Sequence, residues 1–333
     1  MPNLPYQITL PKNSQFYVTI FKEKNADPSY ILFGAIDNQG KHSTLAFLHK
    51  TCTIECVEER CGPNSNKKFQ TISDFLHNRI PANLASELTH FRVWPSNTSE
   101  KISYKAFALT KEQYDEFIKA LPTSHVLYKI LDVYTPISHS SHTYILKNIS
   151  SRSNSELENS IDDAIQSKSS NQFGINKTCR HTAIELLIQS LQNPDVARGI
   201  PTFALKKLPY QGEFRNLKMH GTFYILPIPP SRKQLEPDVY RRLSRIYKRM
   251  EKIPLRYTNH PATKEKFLAL KELYTQLDPR TNSSLTNLVD AIQTWEEKNT
   301  VLIDQHRGFS LFKSTATRDM VEDLKKMTRP KKK

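Results

Sequence analysis

Cys179 is the residue of this sequence whose position best suits covalent chemistry. Downstream of it, apolar residues recur with the spacing of one helix face: Ile184, Leu187, Ile188 and Leu191. Asn176 or Thr178 can cap the start of that helix, which places Cys179 in its first turn. Free N–H groups and the positive end of the helix dipole stabilise a thiolate there. The pattern therefore predicts a thiol that is able to act as a nucleophile.

A nucleophilic thiol needs a base, and three histidines are candidates. His42 begins a predicted strand over residues 42–48, and His220 begins another over residues 220–226. His181 lies two positions beyond Cys179 on the same helix, so it points to one side. Either strand histidine would take the thiol proton and return it to the leaving group. Backbone N–H groups at the helix start would hold the oxyanion.

The segment around Cys179 resembles the nucleophile motif of the circularly permuted branch of the NlpC-like papain-fold family, which includes the lecithin:retinol acyltransferase-like proteins. The resemblance is carried by Phe173, Asn176, Cys179, Arg180 and His181. It implies an α+β, papain-like fold, and a cysteine hydrolase or acyltransferase acting on a peptide, an isopeptide or a lipid ester. It departs from the family at the residue before the cysteine, which is threonine here and not asparagine.

The same resemblance leaves the choice of histidine open. In the permuted order the histidine precedes the cysteine, which selects His42. In the unpermuted papain order the histidine follows the cysteine, which selects His220. We slightly prefer His42, and no residue identifies itself as the third, orienting member of the site.

The remaining patterns indicate a mixed α/β module up to residue 230. Apolar runs at 30–36 and 42–48 flank a Gly-containing turn and predict a hairpin. Thr110 and Gln113 form a capping box that opens a helix to Leu121. Further strands are predicted at 102–109, 128–134 and 144–146, weaker helices at 69–84 and 202–208, and a mobile insertion near 150–171.

From residue 231 to 333 the apolar spacing is helical and the charge is basic. One predicted helix carries five closely spaced basic residues, which form the candidate binding site: Arg241, Arg242, Arg245, Lys248 and Arg249. A basic amphipathic helix can dock on anionic phospholipid or on an acidic protein. The second hypothesis is therefore a non-catalytic protein that binds such a partner through this module.

The composition and the net charge reduce the number of functions that remain to be considered. The net charge is +15, and no run approaches the roughly 18 apolar residues that a membrane span needs. With 8 glycines and no Gly-rich phosphate loop, we expect no nucleotide cofactor. His49, Cys52, Cys56 and Cys61 lack the paired spacing of zinc sites, so we expect no metal. Nucleic-acid binding ranks last, because aromatic residues do not interleave with the basic ones.

The C-terminal end resembles the ends of type IV secretion effectors of intracellular bacterial pathogens, through the segments 303–307, 309–312, 315–317 and 320–324. Residues 1–10 also lack a basic segment followed by an apolar run, so no cleaved signal peptide is expected. The resemblance implies a bacterial effector that leaves the bacterial cytoplasm and acts in the host cytosol or at a host membrane surface. A host protein or lipid would then be its substrate or partner.

Overall fold

We analysed a computed structural model of the chain. It describes residues 5–24, 29–52, 73–78, 80–86, 88, 99–124, 131–149, 172–203, 205–258, 260–281, 288–306 and 314–328. The chain divides into two compact units, unit 1 over Met1–Gly221 and unit 2 over Thr222–Lys333. Unit 1 combines helices with antiparallel sheets, which confirms the expected α+β class. The expected division at residue 230 lies nine residues beyond the boundary found.

The main sheet of unit 1 is antiparallel throughout its described pairs. Its strands are β2 (Gln15–Glu23), β3 (Ser29–Ile36), β4 (His42–Cys52), β5 (Ile80–Ser86), β6 (Glu100–Leu109), β9 (Gln172–Phe173), β10 (Tyr210–Arg215) and β11 (Lys218–His220). Their order across the sheet is β11-β10-β6-β2-β3-β4-β5-β9. A smaller sheet has the order β1-β8-β7, formed by β1 (Gln7–Thr9), β7 (Leu131–Pro136) and β8 (Thr143–Ile149).

The hairpin β3–β4 forms where the sequence predicts it. The Asp37 carboxylate accepts hydrogen bonds from the backbone N–H groups of Gln39 and Lys41, and Gly40 supplies a φ of +78°. A bulge between Phe33 and Gly34 shifts the register of the two strands.

Two helices of unit 1 also start where the sequence predicts them. Helix α1 (Lys111–Ser124) has the expected capping box, in which Thr110 and Gln113 exchange hydrogen bonds of 3.0 and 3.1 Å. Helix α2 (Cys179–Leu191) has Thr178 as its N-cap residue. It is followed by a short 3-10 helix at Pro194–Ala197.

The two faces of the main sheet carry different side chains, because neighbouring residues of a strand point to opposite sides. One face meets the helices, as shown by the stacked rings of Phe33 and Phe117 and the hydrogen bond from Arg180 to Ser29. The other face holds an aromatic cluster: Phe21, Tyr30, Phe47 and Phe214. Burying rings of this size contributes much of the core stability.

Three predicted elements of unit 1 differ from the structure. Of the residues described within the helix expected at 69–84, 73–76 form one helical turn and strand β5 begins at Ile80. No helix forms over 202–208 among its described residues. The strand expected at 220–226 is two short ones, β11 and β12 (Ile225–Leu226). The insertion expected near 150–171 lies outside the described residues.

Unit 2 is helical after β12. It contains α3 (Pro237–Lys252), the 3-10 turn Ile253–Leu255, α4 (Pro261–Leu277), α5 (Leu288–Asp304) and α6 (Ala316–Thr328). Buried apolar residues recur at helical spacing along α3, α4 and α6, and the Trp295 indole donates a hydrogen bond of 2.8 Å to the Ala269 carbonyl. Glu296 joins Arg318 and Lys325 in a partly buried ion-pair network. None of the helices that the structure describes has the length and apolar character of a membrane span.

Candidate functional site

Cys179 is the first residue of α2, as the sequence predicts, and its side chain is half-buried. The thiol donates a hydrogen bond of 3.4 Å to the carbonyl oxygen of Lys50, near the end of β4. The helix start therefore lies beside the last residues of β4. The free N–H groups of this first turn favour negative charge on the sulfur.

Two buried cations lie beside this helix start. The Lys50 ammonium donates 2.7 Å to the Lys177 carbonyl and lies over the Phe173 ring. The Arg180 guanidinium is fully buried, and its Nε donates 2.7 Å to the Ser29 hydroxyl. Burial lowers the pKa of Arg180 to about 10, which leaves it charged at neutral pH. The Lys50 ammonium, held on a carbonyl two residues before Cys179, is the kind of neighbouring cation that favours a thiolate.

His181, the histidine nearest to Cys179 in sequence, serves the helix cap. Its Nδ1 accepts a hydrogen bond of 3.3 Å from the Thr178 backbone N–H and lies 2.9 Å from the Thr178 hydroxyl. Because Nδ1 is an acceptor, the neutral ring carries its proton on Nε2. Burial is the main cause that lowers the pKa of His181, with further contributions from Lys50 and Arg180. The ring is therefore neutral and its basic nitrogen is occupied.

His42 does not reach Cys179. The two residues contact opposite ends of β4, since His42 begins the strand and Cys179 contacts Lys50 near its end. Eight residues of extended strand span about 26 Å, far beyond the hydrogen-bond reach that a general base requires. The expected pairing of Cys179 with His42 is not formed.

His220 lies with His42 and so does not reach Cys179 either. Strand β11 packs beside the start of β4, where Thr44 donates a hydrogen bond to the Leu217 carbonyl. Burial is the largest cause that lowers the pKa of His42 to about 4, and electrostatic contributions from His220 and Lys218 add to it. The Nδ1 of His42 lies 3.2 Å from the Tyr17 hydroxyl, which is fully buried. The two strand histidines thus form a cluster of their own.

The candidate binding residues on α3 separate into two groups. Arg241, Arg245 and Lys248 are exposed and lie at helical spacing, and Lys252 extends the row by another turn. We call Arg241, Arg245, Lys248 and Lys252 the basic stripe. The opposite face of α3 is buried, which points the stripe away from the core.

The other two predicted residues are held closer to the protein. Arg242 and Arg249 are half-buried, and the Nε of Arg249 donates 3.1 Å to the Thr317 hydroxyl on α6. They therefore flank the stripe and do not belong to it. Lys252 was missing from the predicted set, although its spacing from Lys248 could have identified it.

Two acidic residues partly neutralise the stripe. Arg245 pairs with Asp323 at 2.7 Å, and Arg241 with Asp238 at 3.4 Å. Lys248 and Lys252 form no ion pair within the described part of the chain. Exposed pairs of this kind contribute about 0–1 kcal/mol, so the arginines remain available to a stronger anionic partner.

Within the described residues, no group of three or more potential ligands could hold a metal ion. Cys56 and Cys61 lie outside those residues, as does the side chain of Cys52. Comparison with protein-family models, with curated proteins and with solved structures found no match to this chain.

Proposed function

We propose that this chain binds an anionic partner through unit 2, with the basic stripe as its contact surface. The observation that carries the proposal is the uneven charge. Residues 222–333 carry 23 basic and 13 acidic side chains, a net charge of +10 out of +15 for the whole chain. A charge excess concentrated on one helical unit attracts anionic surfaces and raises their association rate.

Part of this excess of positive charge lies on the basic stripe. Its four side chains lie along about 17 Å of helix, at the usual rise of 1.5 Å per residue. Since the buried face of α3 is packed inside unit 2, the helix presents the stripe in a fixed orientation. Long basic side chains on a rigid helix can each approach a separate anionic group.

The test is salt-dependent binding of the full chain to polyglutamate and to vesicles containing phosphatidylserine. The variant is Lys248→Gln with Lys252→Gln, and the control is Lys119→Gln with Lys147→Gln. The control pair is exposed in unit 1 and changes the net charge equally. We expect the α3 variant to weaken binding and the control to have little effect. Equal loss in both variants, or binding insensitive to salt, contradicts the proposal.

A second candidate function is thiol chemistry at Cys179, as the resemblance to papain-like hydrolases and acyltransferases implies. It is favoured by the position of the thiol at the start of α2, beside the Lys50 ammonium. A papain-like module, permuted or not, would place an imidazole at this thiol. Here His42 and His220 lie elsewhere, and His181 caps the helix. This candidate therefore needs a different proton acceptor and ranks second.

The rate of alkylation of Cys179 against pH tests the second candidate. An activated thiol is deprotonated, and therefore alkylated, well below pH 8, whereas a free cysteine has a pKa of about 8.5. Cys179→Ser should abolish any turnover while preserving the fold. Lys50→Met should slow alkylation near neutral pH, because it removes the adjacent cation while keeping the chain length. A thiol that reacts only on unfolding would rule this function out.

The likeness of the C-terminus to type IV secretion effectors supports placing the anionic partner inside a host cell. An acidic host protein and the anionic face of a host membrane both match the charge of unit 2. Delivery into host cells by a bacterium that encodes this chain, followed by recovery of the chain from cytosolic and membrane fractions, tests this placement.

A further inference from the structure

The basic stripe continues into an exposed apolar loop. The 3-10 turn Ile253–Leu255 follows α3 directly, and Leu255 lies three positions beyond Lys252, the spacing that continues the row of the stripe. Leu255 is 50% exposed and Tyr257 is 55% exposed, with the exposed Arg256 between them. Two large apolar side chains therefore stand in water at the end of a row of cations.

The backbone of this loop is held firmly in place. Tyr257 has a φ of +57°, a left-handed conformation that is unfavourable for residues other than glycine and asparagine. Its carbonyl accepts hydrogen bonds from the His260 N–H at 2.9 Å and the Thr263 hydroxyl at 2.7 Å. Thr258 is fixed likewise, donating 2.9 Å to the Pro254 carbonyl. Strained backbone that the surroundings enforce is characteristic of ligand-contacting segments.

We propose that residues 255–257 insert into the interfacial layer of an anionic phospholipid bilayer while the basic stripe lies on its headgroups. This inference rests on the proposed binding function and names its partner. Tyrosine rings favour the headgroup level, where one end is apolar and the other wet. Leu255 would reach the acyl boundary, and the lysines would contact anionic headgroups.

The size and composition of the surface favour a bilayer over the other anionic partners. A stable protein interface buries about 800 Å² on each partner and has an apolar centre surrounded by a polar rim. Here the apolar part consists of two side chains at one end of a charged row. A base of a nucleic acid would stack on Tyr257, but a nucleic acid has no apolar layer in which Leu255 would be buried. A bilayer uses both side chains and the charge together.

The experiment measures partitioning of the full chain onto phosphatidylcholine vesicles with and without phosphatidylserine. The insertion variant is Leu255→Ser with Tyr257→Asn, in which asparagine tolerates the left-handed backbone and protects the fold. Its matched control is Val301→Ser, which removes an apolar side chain that is 86% exposed on α5. A melting curve for each variant verifies folding. Insertion itself is read in a Tyr257→Trp variant by quenching with lipids brominated in their acyl chains.

We expect binding to require phosphatidylserine. Lys248→Gln with Lys252→Gln should weaken it about 30-fold, at roughly fivefold for each lysine near an anionic surface. The insertion variant should weaken it about tenfold, since each half-exposed apolar side chain buries only part of its area. Val301→Ser should leave binding unchanged, and brominated lipid should quench Tyr257→Trp more than the wild type.

Three results would overturn the inference in distinguishable ways. If the lysine variant weakens binding while the insertion variant and Tyr257→Trp show no effect, the surface is purely electrostatic, so insertion is wrong and the proposed function stands. If neither the wild type nor any variant binds vesicles, and the wild type binds polyglutamate or nucleic acid instead, the bilayer is the wrong partner. Loss of binding to every polyanion would refute the proposed function as well.

Discussion

Lowering the pH should destabilise this protein through two histidines on β4. Burial is the largest cause that lowers the pKa of His42 from 6.5 to about 4, and burial likewise lowers the pKa of His49 from 6.5 to about 4. Both rings are therefore neutral in the folded state down to about pH 4, whereas in the unfolded chain they take up protons below about pH 6.5. Because the unfolded state binds more protons in this window, the free energy of unfolding falls as the pH falls.

The size of the effect follows from the two pKa values. A histidine with a pKa of 6.5 unfolded and about 4 folded loses about 2 kcal/mol of stabilisation between neutral pH and pH 5. Since His42 is less completely buried than His49, screening by solvent makes its share the smaller one. Together they should lower the free energy of unfolding by about 3 kcal/mol, a large fraction of the usual total of about 5–15 kcal/mol.

The assay is urea denaturation across this pH window, in the wild type and in two variants. His42→Asn keeps a polar atom near the position of Nδ1, and His49→Gln keeps the size of the ring approximately. Each variant should lose part of the pH dependence, and His49→Gln should lose more of it than His42→Asn, because His49 is the more buried ring. Asp115 and Glu23 have pKa values raised by burial and act in the opposite direction, so the differences between variants carry the test.

An unchanged slope in both β4 variants would refute the reasoning. It would mean that neither histidine is desolvated in the folded state, and the packing of the Tyr17 hydroxyl against His42 would then be wrong as well. A slope lost only in His49→Gln would restrict the effect to the more buried ring.

Three substitutions in the cores should destabilise the protein by distinct mechanisms, each measured by urea denaturation. Gly34→Ala should cost about 1–3 kcal/mol, because its Cβ would lie 2.6 Å from the Tyr17 hydroxyl, and a neutral result would show that the ring can move. Arg180→Gln should cost about 3 kcal/mol or more, since it removes a buried guanidinium that donates to Ser29 and to two carbonyls; a loss below 1 kcal/mol would contradict its burial. Trp295→Phe should cost about 1–3 kcal/mol, because it leaves a buried carbonyl of α4 without its indole donor, and full stability would mean that water replaces that donor.

The local elements were predictable because the signals that specify them are close together in the chain. The turn around Gly40 and the capping box of Thr110 with Gln113 depend on residues within four positions of one another. The start of α2 at Cys179 depends on its own cap and apolar period. The basic face of α3 was predictable from helical spacing. Once the buried face of the helix is known, the same spacing places Arg242 outside the stripe.

The expected pairing of Cys179 with a strand histidine does not form, because it depends on where whole strands lie and not on a local pattern. A histidine at the start of a strand and a cysteine at the start of a helix match the papain-like order equally well at either end of the sheet. The structure packs α2 against the far end of β4, next to Lys50, and packs β11 beside His42. Sequence order contains no information on which end of a strand a later helix meets.

By itself, the sequence determined that this protein has an α+β part, a basic helical part and a cysteine at a helix start, because turns, caps and apolar periods act over a few residues. Only the tertiary structure decided that His42 and His220 lie close together, that the Tyr17 hydroxyl packs against Gly34, and that Leu255 and Tyr257 are exposed next to the basic stripe. These outcomes follow from burial and from strand pairing between residues distant in the chain, which no local pattern specifies.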